Sequence, residues 1–438
     1  MGARFVLIRP KSIHQWEALG VAYLAAYSYR YGGFSRSDYN FFDGIFDEDE
    51  EIIAGCKDAE YIGFSLTTFS VDEALRLMKK IRAVNSDAKI VWGGYAVNGF
   101  TEARLLEKWG DQVDYFLQGP GEESWLEVIA GKASGRVIRK QIMAELDRIP
   151  YPDRELIKID RHFEKLRKMG EIRKTSMEMQ RSVCPFDCVF CAGSSFAKPN
   201  KRSRTAENIV GEMVELRDKW GMDKDSMVLM ADAEVFLTPD MYNMAELKIR
   251  QQVEFKYGMN VVPSMILAPS QRRTLEKMRE SGLTEIWMGV ESGPTLMKET
   301  GKPITPEKVR EAFRITKELG LIRKGYFILG FTPNETEDTI KERISFIEEI
   351  DPDEVGFTIY IPVPGSRDYN EELHGAINYA ASDEYQNNFT RTITLTNADL
   401  HRWQDYLVKY FSDKAAWRQN PTKNRSLQQH RNPGRSGY

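Results

Sequence analysis

The chain has 438 residues, 42% of them hydrophobic and 29% charged, with a formal net charge of -4. That composition belongs to an ordinary globular protein and excludes a disordered chain or one that grips nucleic acid by bulk positive charge. No apolar run reaches the ~20 residues of a membrane span, and the start lacks the small-residue cleavage site of a signal peptide, so a cytoplasmic protein without a membrane partner is expected.

The length predicts two or three domains. Up to residue 135, short apolar strands at 4–8, 39–42, 61–66, 89–92 and 114–117 alternate with helices. The clearest helix spans 70–84, where Ala74, Leu75, Leu77, Met78 and Ile81 share a face. The alternation predicts a Rossmann-like, doubly wound parallel sheet whose ligand lies at the carboxyl ends of the strands. Those ends carry Ser65, Thr67 and Thr68, then Gly93 and Gly94, then Gly119-Pro120-Gly121. Hydroxyls and bare amides there suit a large polar ligand with a phosphate tail, although glycines at such points also serve simply as turns.

A linker is expected over 136–170, around the proline-rich stretch from Glu145 to Asp153. Strand-helix alternation then restarts, with strands at 175–180, 226–230, 254–259, 285–289, 325–329 and 354–361 and helices at 206–220, 269–281, 306–319 and 335–350. Six repeats are too few for an eightfold barrel, so an open, partial (β/α)6 barrel is predicted over 171–370, with chemistry at the carboxyl ends of its strands. A mostly helical extension follows over 371–415. Its segment 400–411 places Leu400, Trp403, Leu407 and Tyr410 on one side and is expected to cap the barrel mouth. The tail 416–438 has no periodicity and is predicted to be disordered.

Three of the four cysteines, Cys184, Cys188 and Cys191, fall within eight residues. A structural zinc site takes four ligands, usually as two pairs, and no second pair exists. The remaining cysteine, Cys56, sits in a segment that reads as a buried helix, and four cysteines are too few to staple a chain of this size. Three thiolates on a four-iron cluster leave one iron open to a substrate or cofactor, and a [4Fe-4S] site is the preferred reading.

This cysteine spacing resembles that of the radical S-adenosylmethionine (SAM) superfamily. The doubly wound domain ahead of it resembles the cobalamin-binding class (class B) of that superfamily, through residues 20–27, 63–68, 92–95 and 119–123. Two departures stand out: the family's acidic-glycine turn appears as Gly119-Pro120-Gly121, and no Asp-x-His-x-x-Gly motif is present. None of His14, His162, His374, His401 and His430 lies where a lower axial ligand would sit, so cobalamin is expected without a histidine on cobalt.

The resemblance implies cobalamin contacts from Ser65, Thr67, Thr68, Gly93, Gly94, Gly119 and Gly121. It implies that Phe190 packs near the adenine of SAM, a core aromatic being the alternative. It assigns the amino group of SAM to Asp232 or Glu234 and the ribose hydroxyls to Glu291 and Ser292. Gly330 to Thr336 resembles the family's turn after the fifth strand, with Thr336 equally readable as a helix cap, and residues 360–366 resemble its sixth strand exit. The basic run Lys201-Arg202-Ser203-Arg204 reads as a solvated turn or a carboxylate contact.

The implied reaction is C-methylation of an unactivated sp3 carbon. A 5′-deoxyadenosyl radical abstracts hydrogen and methylcobalamin supplies the methyl group, with no acid or base residue required. A non-methylating rearrangement, cyclisation or epimerisation is the alternative within the superfamily; a non-enzymatic iron-sulfur or corrinoid carrier is the alternative outside it. A peptide or protein side chain, for instance one of methyl-coenzyme M reductase, is the expected substrate. A low-potential donor such as ferredoxin or flavodoxin, an anaerobic setting and a monomeric state complete the expectation.

Overall fold

A computed structural model describes residues 2–12, 16–181, 184–195, 203–383 and 385–412. Counting these residues, two compact units separate. The first gathers residues up to 165 with 192–195 and 363–381, and the second gathers 166–191, 203–362 and 382–412.

The first unit is a six-stranded parallel sheet in the order β2-β1-β3-β4-β5-β6. Its strands are β1 (Phe5–Arg9), β2 (Tyr39–Asp43), β3 (Tyr61–Leu66), β4 (Lys89–Gly94), β5 (Tyr115–Gln118) and β6 (Val137–Arg139). On one face Val6, Ile8, Ile62, Phe64, Ile90 and Trp92 pack with Ala74, Leu77, Met78 and Ile81 of the helix Val71–Val84. On the other, Phe5, Leu7, Phe41, Val91 and Leu117 pack with Val21, Ala22, Trp125 and Val128 from the helices Leu19–Gly32 and Gly121–Ile129. Burial on both faces is what makes these strands near-continuous apolar runs. The five predicted strands are present with ends moved by one or two residues. β6 is the addition, three residues pairing with β5, too short to carry a readable alternation.

Leu146 and Ile149 bury against Leu19 and Tyr23, so the proline-rich stretch packs onto this unit. Residues 363–381 also belong to it, although in sequence they follow the last strand of the second sheet. Gly99 allows their approach: a Cβ there would stand 2.3 Å from the carbonyl carbon of Pro364. Arg104 and Lys108 donate to Glu371 at 2.8 and 2.7 Å, and the rings of Phe69 and Tyr379 lie 6.1 Å apart.

The second unit holds β7 (Lys174–Met177), β8 (Met227–Met230), β9 (Lys256–Asn260), β10 (Leu283–Glu291), β11 (Ile322–Leu329) and β12 (Glu354–Ile359), parallel and in sequential order with β7 and β12 at the two edges. This is the open β/α sheet predicted. Helices between the strands begin with standard signals. Thr205, Thr305 and Thr336 cap the helices Ala206–Trp220, Pro306–Glu318 and Glu337–Ile350 by accepting from backbone amides. Proline opens Pro239–Arg250, Pro269–Glu280 and Pro306–Glu318.

The helix Pro239–Arg250 was not anticipated. Its buried stripe runs Met241, Met244, Ala245 and then Lys248, whose fully buried ammonium donates to the carbonyls of Val253, Phe255 and Ser281 at 2.6, 2.9 and 2.7 Å. A lysine in the core-facing position hides the apolar period. The C-terminal helix, Asn397–Ser412, packs along edge strand β12: Gln404 donates to the Phe357 carbonyl at 3.0 Å, and Phe411 stacks on Phe357 at 5.9 Å. Only its first turn reaches the strand exits, where a Cβ on Gly330 after β11 would stand 2.5 Å from Leu400 Cδ1; the rest follows the sheet edge. An edge strand presents unpaired carbonyls, and this helix covers them.

Candidate functional site

The cysteine loop leaves β7, and the β8 exit holds its beginning in place. Asp232 accepts from the backbone amides of Met179 at 2.8 Å and Gln180 at 3.0 Å. The Gln180 side chain in turn donates to the Phe236 carbonyl and accepts from the Phe236 amide, both at 2.8 Å. Asp232, 3% exposed, has both oxygens engaged in this stitch, so of the two acidic candidates it is the structural one. Glu234 is buried behind it and accepts from the Val262 amide at 2.8 Å. Burial pushes its carboxyl up to about 8, against the opposing pull of that amide and of Lys302. A buried carboxyl whose ionisation burial disfavours gains from an adjacent cation, which suits the amino end of a ligand.

Cys184 is half-buried, Cys188 buried and Cys191 exposed. The loop is pinned at Val189, whose amide donates to the Thr300 carbonyl at 3.0 Å, and by the Cys191 amide donating to Cys188 at 3.1 Å. Burial raises Cys188 to about 12, with Lys302 opposing; Cys184 is raised by burial and by the nearby charges of Glu234 and Cys191. Among the described residues no three His, Cys, Asp or Glu side chains converge as ligands of a single ion would. A four-iron cluster asks for something else, one thiolate on each of three irons, and three mutually sensed thiols on one loop fit that demand.

The β10 exit carries the most constrained residue of the unit. Glu291 has φ 68°, in the left-handed region, beside an irregularity where the pairing with β11 shifts between Gly289 and Glu291. Lys302 donates to its carboxylate at 2.7 Å and to the Gly289 carbonyl at 2.8 Å. Both side chains are 9% exposed. Gly289 makes room for the pair, because a Cβ there would lie 2.1 Å from Glu291 Oε1 and 2.4 Å from Lys302 Nζ. Burial alone would lower the Lys302 ammonium; Glu291, Cys188 and Glu234 outweigh it and raise it. Sequence reasoning missed Lys302, since a lysine between Gly301 and Pro303 carries no local mark of a buried role.

Other predicted residues turn elsewhere. Ser292 is fully buried and accepts from Arg343 at 3.3 Å. That arginine pairs with the equally buried Glu335, which also accepts from the Gly330 amide at 2.6 Å. Ser292 is thus part of a core network rather than the mouth of the site. Phe190 meets Phe331 edge-on at 6.5 Å, beside a cluster of Val189, Leu296 and Tyr360. Thr336 is a helix cap. Lys201 and Arg202 lie outside the described residues, while Arg204 is buried and donates to Glu212 at 2.6 Å, so it is no free carboxylate contact.

In the first unit the strand exits form a ledge of exposed backbone. Gly94 has φ 93°, and a Cβ there would stand 2.5 Å from the Leu66 carbonyl oxygen. Gly93 is open: a Cβ would find nothing nearer than Leu117 Cβ at 3.8 Å. Ser65, Thr67 and Thr68 are half-buried on the neighbouring exit, with Ser65 paired in register to Gly93. Asn98 ties the loops together, donating to the Gly94 carbonyl at 2.9 Å and accepting from the Gly119 amide at 2.7 Å. Gly119 and Gly121 have packing reasons to be glycine: a Cβ would meet the Lys140 carbonyl oxygen at 2.3 Å and Leu24 at 2.8 Å respectively. Of the histidines, His14 and His430 lie outside the described residues. His162 is buried, 3.9 Å from Glu17, and burial lowers its pKa.

Comparison with known proteins gives a coherent picture. The Radical SAM superfamily pattern matches residues 182–347 and the B12 binding domain pattern matches residues 7–129. An uncharacterized methyltransferase of Pyrococcus horikoshii is 25% identical over 374 residues, covering 80% of this chain and 77% of its own length. Among solved structures, the cobalamin-dependent SAM radical enzyme OxsB aligns with TM-score 0.69 at 16% identity, over 98% of this chain and 70% of its own. The radical SAM methyltransferase TsrM from Kitasatospora setae, with cobalamin and a [4Fe-4S] cluster bound, aligns with TM-score 0.64 at 16% identity, over 92% of this chain and 85% of its own. At such identities the two structures speak to the fold alone.

Proposed function

We propose that the chain transfers a methyl group from cobalamin to an unactivated sp3 carbon. The chain belongs to the cobalamin-dependent radical SAM enzymes, the family of its methyltransferase relatives, and its cofactors are a [4Fe-4S] cluster, SAM and cobalamin. When bound, the cluster with SAM supplies a radical able to take hydrogen from unactivated carbon, and cobalamin supplies the methyl group.

In this reading Cys184, Cys188 and Cys191 hold three irons. Glu234 receives the amino group of SAM, with Asp232 fixing the loop from which the cysteines hang. Glu291, held by Lys302, faces the ribose, and Phe190 borders the adenine. Gly93 and Gly94, with Ser65, Thr67 and Thr68 beside them, offer backbone and hydroxyls to the corrinoid. The residues bind and orient; none is asked to move a proton during methyl transfer.

The observation that carries the reading is that the cysteine loop is tied at Met179 and Gln180 to Asp232, two residues from the buried Glu234, and at Val189 to Thr300, two residues from the lysine that holds Glu291. A peptide or protein side chain, such as one of methyl-coenzyme M reductase, is the substrate class we place first. Its support is that the described C-terminal helix runs for most of its length along the β12 edge. A ferredoxin or flavodoxin is the proposed electron donor.

The test is anaerobic. The cluster is reconstituted, methylcobalamin, SAM and a low-potential reductant are added, and deoxyadenosine, adenosylhomocysteine and the corrinoid spectrum are followed together. Both nucleosides, with cobalamin retained through gel filtration, support methyl transfer. Deoxyadenosine alone, with no corrinoid retained, overturns it.

A further inference from the structure

We propose that Asn98 is the positioning residue of the corrinoid ledge: its buried carboxamide cross-links the exits of β4 and β5 and holds the Gly93-Gly94 backbone in its binding shape before the ligand arrives. The inference rests on the cobalamin reading above and deepens it.

β4 pairs with β5 at Val91 with Tyr115 and at Trp92 with Phe116, and beyond those pairs the two exits are joined through side chains. Asn98 is 7% exposed and uses both ends of its amide: it donates to the Gly94 carbonyl at 2.9 Å and accepts from the Gly119 amide at 2.7 Å. Both partners are glycines with positive φ, 93° and 81°. Glycine has the widest backbone freedom of any residue, so a ledge built from it keeps one shape only if its neighbours impose it. Fixing the Gly94 carbonyl fixes the peptide plane that closes the ledge. On the other side the Gln118 carbonyl accepts from the Lys140 amide at 3.0 Å, so the peptide that carries the Gly119 amide is anchored at both ends.

A carboxamide is the short side chain that offers a donor and an acceptor together, and this place needs both. Attachment of the segment to the sheet is already provided, because the buried Gln118 side chain donates to the carbonyls of Val97 and Phe100, each at 2.7 Å. What Asn98 adds is orientation at the two glycines. Its own side chain is buried whereas Gly93 is open, so Asn98 stands behind the ledge and leaves the face to the ligand. Ordering a flexible loop costs affinity when the ligand must do it, and a tie made in advance removes that cost.

The experiment uses the full chain and measures the Kd of hydroxocobalamin by equilibrium dialysis, beside apparent Tm without ligand, for wild type, Asn98→Ala, Asn98→Asp and Arg82→Ala. Asn98→Asp has the shape of asparagine and keeps the acceptor for Gly119, but it turns an oxygen toward the Gly94 carbonyl. Arg82 is the control for stability: it ties the opposite ends of the same two strands, donating to the Ala88 carbonyl at 2.6 Å and to Asp114 at 3.1 Å. Both Asn98 variants should bind at least about tenfold more weakly than wild type, which is what two hydrogen bonds of ordinary net strength amount to. Arg82→Ala should bind within about threefold of wild type even where its Tm falls as far. Wild-type affinity in both Asn98 variants overturns the proposal, as does an Arg82→Ala chain that binds as weakly as they do. Failure of both Asn98 variants to fold overturns it too, since the tie would then serve folding. If only Asn98→Ala fails to fold, Asn98→Asp is the variant read. A wild-type chain that binds no hydroxocobalamin would remove the cobalamin reading itself, an outcome distinct from a wild type that binds beside variants that bind alike.

Discussion

Gly289→Ala probes the β10 exit through one methyl group. Gly289 has no positive φ, so alanine by itself would be tolerated and would gain about 0.4–1 kcal/mol by restricting the unfolded chain. The added Cβ would stand 2.1 Å from Glu291 Oε1 and 2.4 Å from Lys302 Nζ, far inside the ~3.5–4.0 Å of good carbon contact. Neither atom has easy travel, because both side chains are 9% exposed and the ammonium is also held at 2.8 Å by the carbonyl of residue 289 itself. The pair must part or the strand must shift. Breaking a buried pair costs about 3–5 kcal/mol, and subtracting the alanine gain leaves roughly 2–4 kcal/mol. A chain of two units does not unfold in one step, so the assay is local: hydrogen exchange of peptides covering Leu283–Glu291 and Ile322–Leu329. Exchange there should accelerate by roughly 30- to 700-fold at 1.4 kcal/mol per tenfold, with peptides of the first unit unchanged. In a Glu291→Ala/Lys302→Ala background the same substitution should instead slow exchange by about two- to fivefold, the alanine gain alone. An acceleration below about threefold, or one spread equally over both units, would refute the packing argument.

Replacing Cys184, Cys188 or Cys191 singly by serine should abolish retained iron and the visible iron-sulfur absorbance; Cys56→Ala, at a buried helix end remote from the loop in sequence, should retain both. Glu234 ionises near pH 8 in the fold against 4.5 when unperturbed, so the folded state holds the extra proton between those values and its stability falls as pH rises through the window. Relative to wild type, Glu234→Gln should therefore become progressively more stable from about pH 5 to pH 8 and level off above, read from apparent Tm; the opposite trend would contradict the burial of this carboxyl. Gly93→Ala should leave the melting temperature unchanged while reducing cobalamin retained through gel filtration, whereas Gly94→Ala should lower both, by about 1–3 kcal/mol in stability, because of its positive φ and the Leu66 carbonyl. Full cobalamin retention by Gly93→Ala would remove the ledge from the corrinoid site.

Apart from β6, the strands of both sheets were legible because each is a short apolar run between helices, and parallel sheets buried on both faces write that pattern plainly. What escaped reading depended on distant partners. The helix Pro239–Arg250 was hidden by Lys248, whose burial makes sense only beside the carbonyls of Val253, Phe255 and Ser281. Residues 363–370 were read with the barrel and 371–381 with the helical extension, yet they pack against Gly99, Arg104 and Phe69, more than two hundred and fifty positions earlier. The C-terminal helix was assigned Leu400 and Leu407 correctly, but its buried stripe continues through Gln404 and Phe411 rather than Trp403 and Tyr410, because nothing within it announces that Gln404 will cap an edge-strand carbonyl.

The site divides along the same line. Motif spacing selects positions at strand exits, and it selected Asp232 with Glu234 and Glu291 with Ser292 without distinguishing the members of either pair. The distinction lies in what each side chain meets. Asp232 has its two oxygens engaged by the amides of Met179 and Gln180, and the Ser292 hydroxyl is engaged by Arg343. Glu291 is engaged too, but through one oxygen, by Lys302, which reaches from a turn eleven residues on. A carboxylate held through one oxygen keeps a second, whereas one held at both by backbone amides does not. In the proposed reading Glu234 and Glu291 are therefore the acidic groups that answer a ligand, and the serine and aspartate beside them are the scaffold that fixes where the answer is given.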